Sequence, residues 1–413
     1  MQKNLSLEIE NYFQPLIYNF LREVSEFAEF DGTRIFMVGG IVRDILLKRK
    51  NIDIDIIVEG NAVEFVKKLC QKHTKFRTSS FQNELFTAKV KLPNNNIEVD
   101  FASTRTEFYP QKGYLPKIEK IGVPINQDAL RRDFSINALY LSLNKNDWGN
   151  IYDFFNGIKH LEDKKLSILH NKSFVEDPTR IIRGLKFSCR LNFDLCKETQ
   201  NLQNEYLKDI NYNISYARVK SEIIQTFNLN NPQVYEKFIS QNIYKLISKN
   251  FSKIENIKNT VNVINKFTPQ SKNLWLIYFI TIFFDSLKNN KITQFNFTQK
   301  EQSIINSAII LMNKPTPASS TNSMIYKFFE GHLDEAIIIY NTISENNIGI
   351  KYLSELKDVK ISITGKDLIK LGLSPSPRFK EILQQVKDAK LDGQLYTKQD
   401  EIDFVNKIKN TRH

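Results

Sequence analysis

Apolar residues recur at helical spacing through the first thirty positions of the chain, with Phe13, Leu16, Ile17, Phe20, Leu21, Val24 and Phe27 on one stripe. That period predicts an amphipathic helix over residues 5–30. Beyond it the pattern changes. Arg34 to Val38 reads as a short strand, Gly39-Gly40 as a turn, Ile41 to Leu47 as a helix and Ile52 to Val58 as a second strand. A helix over Ala62 to Gln71 and strands over Leu85 to Leu92 and Ile97 to Ala102 complete a small α/β unit with a mixed sheet. Thr106 to Gln127 shows no regular period and contains Pro110, Gly113, Pro116, Gly122 and Pro124. A loop that long inside a compact domain is expected to be functional or disordered. From Asp128 onward the pattern is mostly helical, with helices expected near 128–143, 176–191, 215–227, 231–248, 255–267, 272–287 and 298–312. Asn313 to Ser323 is the best linker candidate, and further helices and a tail segment, Ile363 to Asn406, follow it.

A length of 413 residues implies about two to four compact units. The formal net charge of +12 is unevenly spread: residues 1–150 hold 21 Lys and Arg against 19 Asp and Glu, and the remainder 37 against 27. The basic excess therefore lies in the later part, where it suits a polyanion. Cys70, Cys189 and Cys196 show no metal-binding or redox spacing and suggest reduced thiols in a reducing compartment. His73, His160, His170, His332 and His413 are scattered, with no His-Asp dipeptide and no zinc motif. The first residues lack a basic start followed by an apolar core, so no secretory signal is expected. The longest apolar run, Leu274 to Phe284, is too short to span a bilayer and predicts a buried helix.

The chemistry concentrates in a few short segments. Asp53 and Asp55 stand two apart on a strand, so their side chains share a face and can reach one Mg²⁺ ion, which favours oxygen ligands and substrate phosphates. Gly39, Gly40 and Arg43 lie where a strand ends and a helix begins, offering backbone amides and a guanidinium to a phosphate. Two-metal phosphoryl transfer calls for a third carboxylate, and Glu98 and Asp100 are both candidates on one strand face. Arg131, Arg132 and Asp133 precede a periodic segment containing Asn137, and the two adjacent arginines suit a triphosphate. In Glu176-Asp177-Pro178-Thr179-Arg180-Ile181-Ile182-Arg183, Asp177 and Arg180 fall on one helix face with Arg183 a turn further on. An Asp accepting from an exocyclic amino group beside an Arg donating to a ring nitrogen would take C and A and reject G and U, whose pairing edges present the reverse order.

Taken in order, GGIVRD, the IDID strand, RRDFSINAL, the Asp153-to-Gly157 segment and EDPTRIIR resemble the motifs of class II tRNA nucleotidyltransferases, the CCA-adding enzymes, and their bacterial poly(A) polymerase relatives. The resemblance runs from about Arg34 to Phe193; Ser215 to Glu222 and Thr364 to Leu395 resemble later segments of the family. It implies an α+β fold: a small mixed-sheet, palm-like nucleotidyltransferase head over 1–142, then mostly helical neck (143–227), body (228–312) and tRNA-binding tail (313–413). It further implies Asp53 and Asp55 as metal ligands with Asp100 as third carboxylate, and Gly39, Gly40 and Arg43 on the triphosphate. Arg131, Arg132, Asp133 and Asn137 would bind the nucleotide, Asp177 and Arg180 would select its base with Arg183 beside them, and Asp153 and Gly157 would form a hinge-like motif. The implied reaction is CTP- and ATP-dependent addition of CCA, or of CC or A alone, to the tRNA 3′ end, with Mg²⁺, in the cytoplasm and away from membranes. The long 106–127 segment leans against pure CC addition, because CC-adding members have a curtailed loop there. Poly(A) addition is the nearest rival, disfavoured by Glu59 where those relatives carry basic residues; an inactive RNA-binding homologue is more remote.

Overall fold

The computed structural model describes residues 3–93, 97–252, 257–267, 273–317, 321–344 and 346–410. The opening of the helix expected at 255–267, the first residue of that at 272–287, the middle of the linker candidate and His413 lie outside the described residues. The chain divides into two units, one running to Leu229 and including Lys237–Leu246, the other made of Asn230–Glu236 and Ile247–His413. The fold is α+β, with one mixed sheet and mostly helix after it.

Seven strands form the main sheet of the first unit: β1 (Ile35–Val38), β2 (Ile54–Val58), β3 (Arg77–Gln82), β4 (Thr87–Lys91), β5 (Glu98–Ser103), and, beyond a separate hairpin of β6 (Arg105–Phe108) and β7 (Lys117–Ile121), β8 (Leu139–Ser142) and β9 (Ile151–Asp153). Their order is β3-β4-β5-β2-β1-β8-β9, with β2 and β5 parallel and the other neighbours antiparallel. One face buries Ile54, Ile56, Val58, Val99 and Phe101 under α2 (Pro15–Asp31) and its neighbours. The other face has a smaller apolar patch of Phe36, Val38, Ile57, Ile125, Ala129 and Tyr140. On that second face Asp55 is exposed, among otherwise buried strand residues. The sheet thus ends its apolar cover just where the carboxylates begin.

Several expectations need correction. The opening helix is two helices, α1 (Ser6–Tyr12) and α2, because Pro15 occupies the first turn of the second and Gln14 is extended. The segment expected as a helix over 128–143 instead contains a turn of 3₁₀ helix at Ser135–Asn137 and the strand β8. All four β8 residues are buried, Leu139 and Leu141 in the core on one face of the sheet and Tyr140 in the patch on the other. An apolar run buried on both faces carries no period of two, so it cannot be told from a helix by pattern alone. Thr106 to Gln127 is not irregular throughout: it includes most of the β6–β7 hairpin and the start of the short helix Ile125–Ala129.

The expected helix at 176–191 also breaks, into Ser173–Glu176 and Thr179–Leu191, with Asp177 extended between them. The residue before a proline is driven out of the helical region, and Pro178 follows it. In the second unit, Leu274–Lys288 buries every residue but Asp285 and Lys288, as expected of a core helix. Gln299–Asn313 starts at a capping box in which the Thr298 amide donates to Glu301 and the Glu301 amide to Thr298 Oγ1. Glu401, fully buried, accepts from the amides of Ser362 and Ile363 and from Lys390 Nζ, which pins the tail segment. Among the described residues no helix is long and apolar enough to cross a membrane.

Candidate active site

A cavity of about 710 Å³ in the first unit gathers Gly39, Gly40, Arg43, Asp53, Asp55, Arg131, Arg132, Asp133, Asn137, Asp177, Arg180 and Arg183. Residues separated by more than a hundred positions thus face one space. The glycine turn makes room for this. Gly39 has φ +74° and ψ −136°, a conformation that side chains oppose. A Cβ on Gly39 would stand 3.8 Å from Arg132 Nη1 and 3.9 Å from Asp55 Oδ2, so both groups look onto the same backbone.

Asp55 lies in β2, and Asp53 immediately precedes the strand with its amide donating 2.9 Å to Asn51 Oδ1. Both side chains are exposed, and among the described residues neither carboxylate accepts a hydrogen bond. Parallel pairing of β2 with β5 puts Asp100 beside Asp55. The Asp55 carboxyl is pushed up to about 6, first by lost hydration on the floor of the cavity, then by the charges of Asp53 and Asp100; Arg132 and Lys89 offset only part of this. Asp100 itself pairs with Lys89 at 2.9 Å. That pairing leaves Asp53 and Asp55 as the unneutralised couple, and among the described residues no group of three acidic, His or Cys side chains is close enough to form a metal cage. Glu98 is exposed and stands opposite Lys91 on the neighbouring strand. It is not among the charges that raise Asp55, whereas Asp100 is.

The other expected site residues are held in a hydrogen-bonded chain. Arg43 is 3% exposed and donates twice to Asp44, at 2.9 Å each, and at 2.7 Å to Asn137 Oδ1. Those three bonds fix its guanidinium at the wall of the cavity and leave two of its five N–H donors over. Asn137 donates 3.0 Å to Asp133, which also accepts two bonds from Arg183 at 2.9 and 2.6 Å and one from the Phe134 amide. Burial opposes the Asp133 charge, but Arg183 and these donors bring its carboxyl down to about 2. Arg183 continues the chain to Glu222, which also takes Lys186.

Asp177 and Arg180 are buried, 5% and 3% exposed, and do not pair with each other. Asp177 accepts from the Thr179 amide and hydroxyl and from Arg218. Arg180 donates to Ser173 Oγ at 2.6 Å and to the Arg131 carbonyl at 2.9 Å. Both are pre-set by bonds that leave capacity over: a carboxylate offers about four acceptor sites and a guanidinium five donors. The hairpin closes on this end. Gly113, at its tip, has φ +83° and exchanges backbone bonds with Glu176 and Ser215, while Arg218 donates 3.1 Å to the Tyr114 carbonyl. Asp153 accepts the amides of Phe155, Gly157 and Ile158 and so caps the helix Gly157–Glu162.

Sequence reasoning missed several residues in and behind this site, among them Arg218 and Glu222 on its wall and Asp128 and Tyr140 behind it. Arg218 and Glu222 sit in the segment Ser215 to Glu222, which gave no residue-level role; Tyr140 was hidden in the misread strand. Asp128 stands three and four residues before Arg131 and Arg132, a spacing that could have suggested ion pairing.

A family model described as the poly A polymerase head domain matches residues 35–167. The A-adding tRNA nucleotidyltransferase of Geobacter sulfurreducens is 26% identical over 92% of this chain, but the chain spans only 46% of that protein. Its counterpart in Halalkalibacterium halodurans is 27% identical over 94% of this chain and 92% of its own. The solved Thermotoga maritima CCA-adding enzyme complexed with tRNA is 22% identical, covers both chains fully and superposes with a TM-score of 0.77, a likeness of fold. Residues 35–167 thus match a poly A polymerase head domain, and most of the chain is similar to tRNA nucleotidyltransferases in sequence and in fold.

Proposed function

We propose that the chain is a template-independent tRNA nucleotidyltransferase that adds CCA, or part of it, to the tRNA 3′ end from CTP and ATP. The observation that carries this reading is the single cavity with an electron-rich carboxylate couple on one wall, arginines on the next and a buried Asp177/Arg180 pair beyond them. The RNA 3′-hydroxyl oxygen would form a bond to the α-phosphorus as the bond to the bridging oxygen breaks, and pyrophosphate would leave. Arg132 and backbone amides at Gly39 and Gly40 would hold the triphosphate; Arg131, Asp133, Asn137 and Arg183 would fix the nucleotide's place. Asp177 would accept from the amino group of C or A and Arg180 would donate to the adjacent ring nitrogen, which removes the need for a template strand. Asp153 and Gly157 would anchor the turn leading from head to neck.

Asp53 and Asp55 would hold the divalent cation, Mg²⁺ in our reading of a two-metal site, with Asp100 contributing once Lys89 yields it. The donor set fits such an ion, because the couple is all oxygen, exposed and without a hydrogen-bond donor among the described residues, and lost hydration followed by the charges of Asp53 and Asp100 raises Asp55. When bound, the cation supplies positive charge against the phosphates. We assign residues 1–142 as head, 143–227 as neck, 228–312 as body and 313–413 as the tRNA-gripping tail, acting in the cytoplasm. Poly(A) addition is less well supported, since Glu59 is engaged with Arg34 and the Ile125 amide rather than being replaced by a basic stretch.

The test is incorporation of labelled CTP and ATP, singly and together, into tRNA ending before CCA, into tRNA ending after CC, and into unrelated RNA. We expect tRNA-restricted, limited addition. Long A tracts on unrelated RNA, or no incorporation at all, would overturn the reading.

A further inference from the structure

Asp128 is fully buried and collects four donors. Its Oδ1 accepts the Arg105 amide at 2.9 Å and Arg131 Nε at 2.9 Å; its Oδ2 accepts Arg132 Nη2 at 3.1 Å and the Tyr140 hydroxyl at 2.8 Å. Tyr140, also fully buried, accepts Arg132 Nε at 2.8 Å through the same hydroxyl. Two of the three guanidinium nitrogens of Arg132 are therefore fixed from behind. The third, Nη1, makes no hydrogen bond among the described residues and lies beside the Gly39 turn that Asp55 also faces. Charge-assisted bonds of this kind are strong and directional, and a buried carboxylate with every lone pair used has no freedom to turn. A planar fork held on two edges presents its remaining edge in one direction.

We propose that Asp128 and Tyr140 are positioning residues that aim Arg132 Nη1 at the triphosphate of the incoming nucleotide, over the Gly39 turn. The proposal rests on the nucleotidyl-transfer reading above but concerns a binding step that needs no RNA. Asp128 also fixes the Arg131 side chain, whereas Arg180 is held by the Arg131 main-chain carbonyl and by Ser173. Neither Asp128 nor Tyr140 faces the base-reading pair directly, so their loss should weaken phosphate binding without changing which bases are accepted.

The test is calorimetric binding of inorganic tripolyphosphate with Mg²⁺ to the full chain and to Tyr140→Phe, Asp128→Asn and Tyr152→Phe. Tyr140→Phe keeps the ring and loses one hydroxyl; Tyr152, its cross-strand neighbour on β9, bonds Asp147 away from the cavity and controls for sheet damage. We expect Tyr140→Phe to weaken binding about ten-fold and Asp128→Asn at least as much, with Tyr152→Phe at the wild-type value. The KM values for CTP and ATP should rise together, with GTP and UTP still rejected. Wild-type binding by Tyr140→Phe, an equal loss in Tyr152→Phe, or relaxed base choice would overturn the proposal. A wild-type chain that binds tripolyphosphate but transfers nothing to tRNA would sink the function and leave this inference standing.

Discussion

The two ends of the cavity solve opposite electrostatic problems. At one end Asp53 and Asp55 are exposed and accept no hydrogen bond among the described residues, and lost hydration, with the charges of Asp53 and Asp100 behind it, carries Asp55 up to about 6. At the other, Asp133 and Asp177 are buried, each accepts several donors, and Asp133 is held down at about 2. Carboxylates of one chemical type are left lacking charge where an ion must enter and are fully compensated where a shape must be kept. On the proposed function, the end that takes a mobile cation is left under-satisfied and the end that reads a base is finished before the base arrives.

That contrast is broken most severely at the cation end. Replacing Asp53 and Asp55 together by Ala should lower nucleotide incorporation by roughly a thousand-fold or more, since charge supplied by bound metal is worth several kcal/mol and about 1.4 kcal/mol is tenfold in rate. The same double variant should melt no lower than the wild type without metal, because it removes repulsion and no hydrogen bond. A large fall in melting temperature with activity retained would reverse the contrast. At the other end Asp177→Ala should act on choice more than on rate. The preference for CTP and ATP over GTP and UTP should shrink by on the order of a hundred-fold, measured as the ratio of kcat/KM values. Stability should fall as well, because Arg218 loses its carboxylate partner.

The same division decides how much the sequence could tell. The cation end is local: a glycine turn, two carboxylates two residues apart and a neighbouring acidic strand are all visible as short patterns, and the structure brings the turn and the couple to one cavity with Asp100 paired beside Asp55. The choice between Glu98 and Asp100 was not visible, since it depends on the register of β2 against β5. At the finished end, Asp177 and Arg180 were legible, but their true partners, Arg218, Ser173 and the Arg131 carbonyl, come from three other segments. Arg43 was legible at the glycine turn, but its partner Asn137, 94 positions away, was not. Fold errors had the same origin. Tyr140 and Leu141 read as helix because apolar cover on both faces of the sheet erases the alternation of β8, and that cover comes from distant segments.

Two smaller tests use acid to separate the ends. Asp133 is ionised more readily in the folded chain than its ordinary value near 3.8, so it stabilises the fold above that pH and loses the contribution as pH falls through about 2. Asp133→Asn should therefore be less stable than the wild type by about 2 kcal/mol near neutrality, the difference closing in strong acid. Urea denaturation at pH 7 and pH 2 checks this; an undiminished difference at pH 2 would assign the loss to shape rather than charge.

Asp55 runs the other way. Its carboxyl is harder to ionise in the folded chain, so the folded state binds a proton that the unfolded chain has already released between about pH 4 and about pH 6. Metal-free protein should accordingly become slightly more stable as pH falls from above 6 toward 4, the reverse of the Asp133 trend. Asp55→Asn should flatten this slope, and adding Mg²⁺ at pH 7 should raise the melting temperature of the wild type but not of the variant, because the cation replaces the proton as the neutralising charge. Melting curves in chelator and in Mg²⁺ at pH 7.5 and pH 5 measure both effects. If wild type and Asp55→Asn track each other in all four conditions, the couple carries no frustrated charge, and the distinction between an unfinished and a finished end of the cavity fails at its starting point.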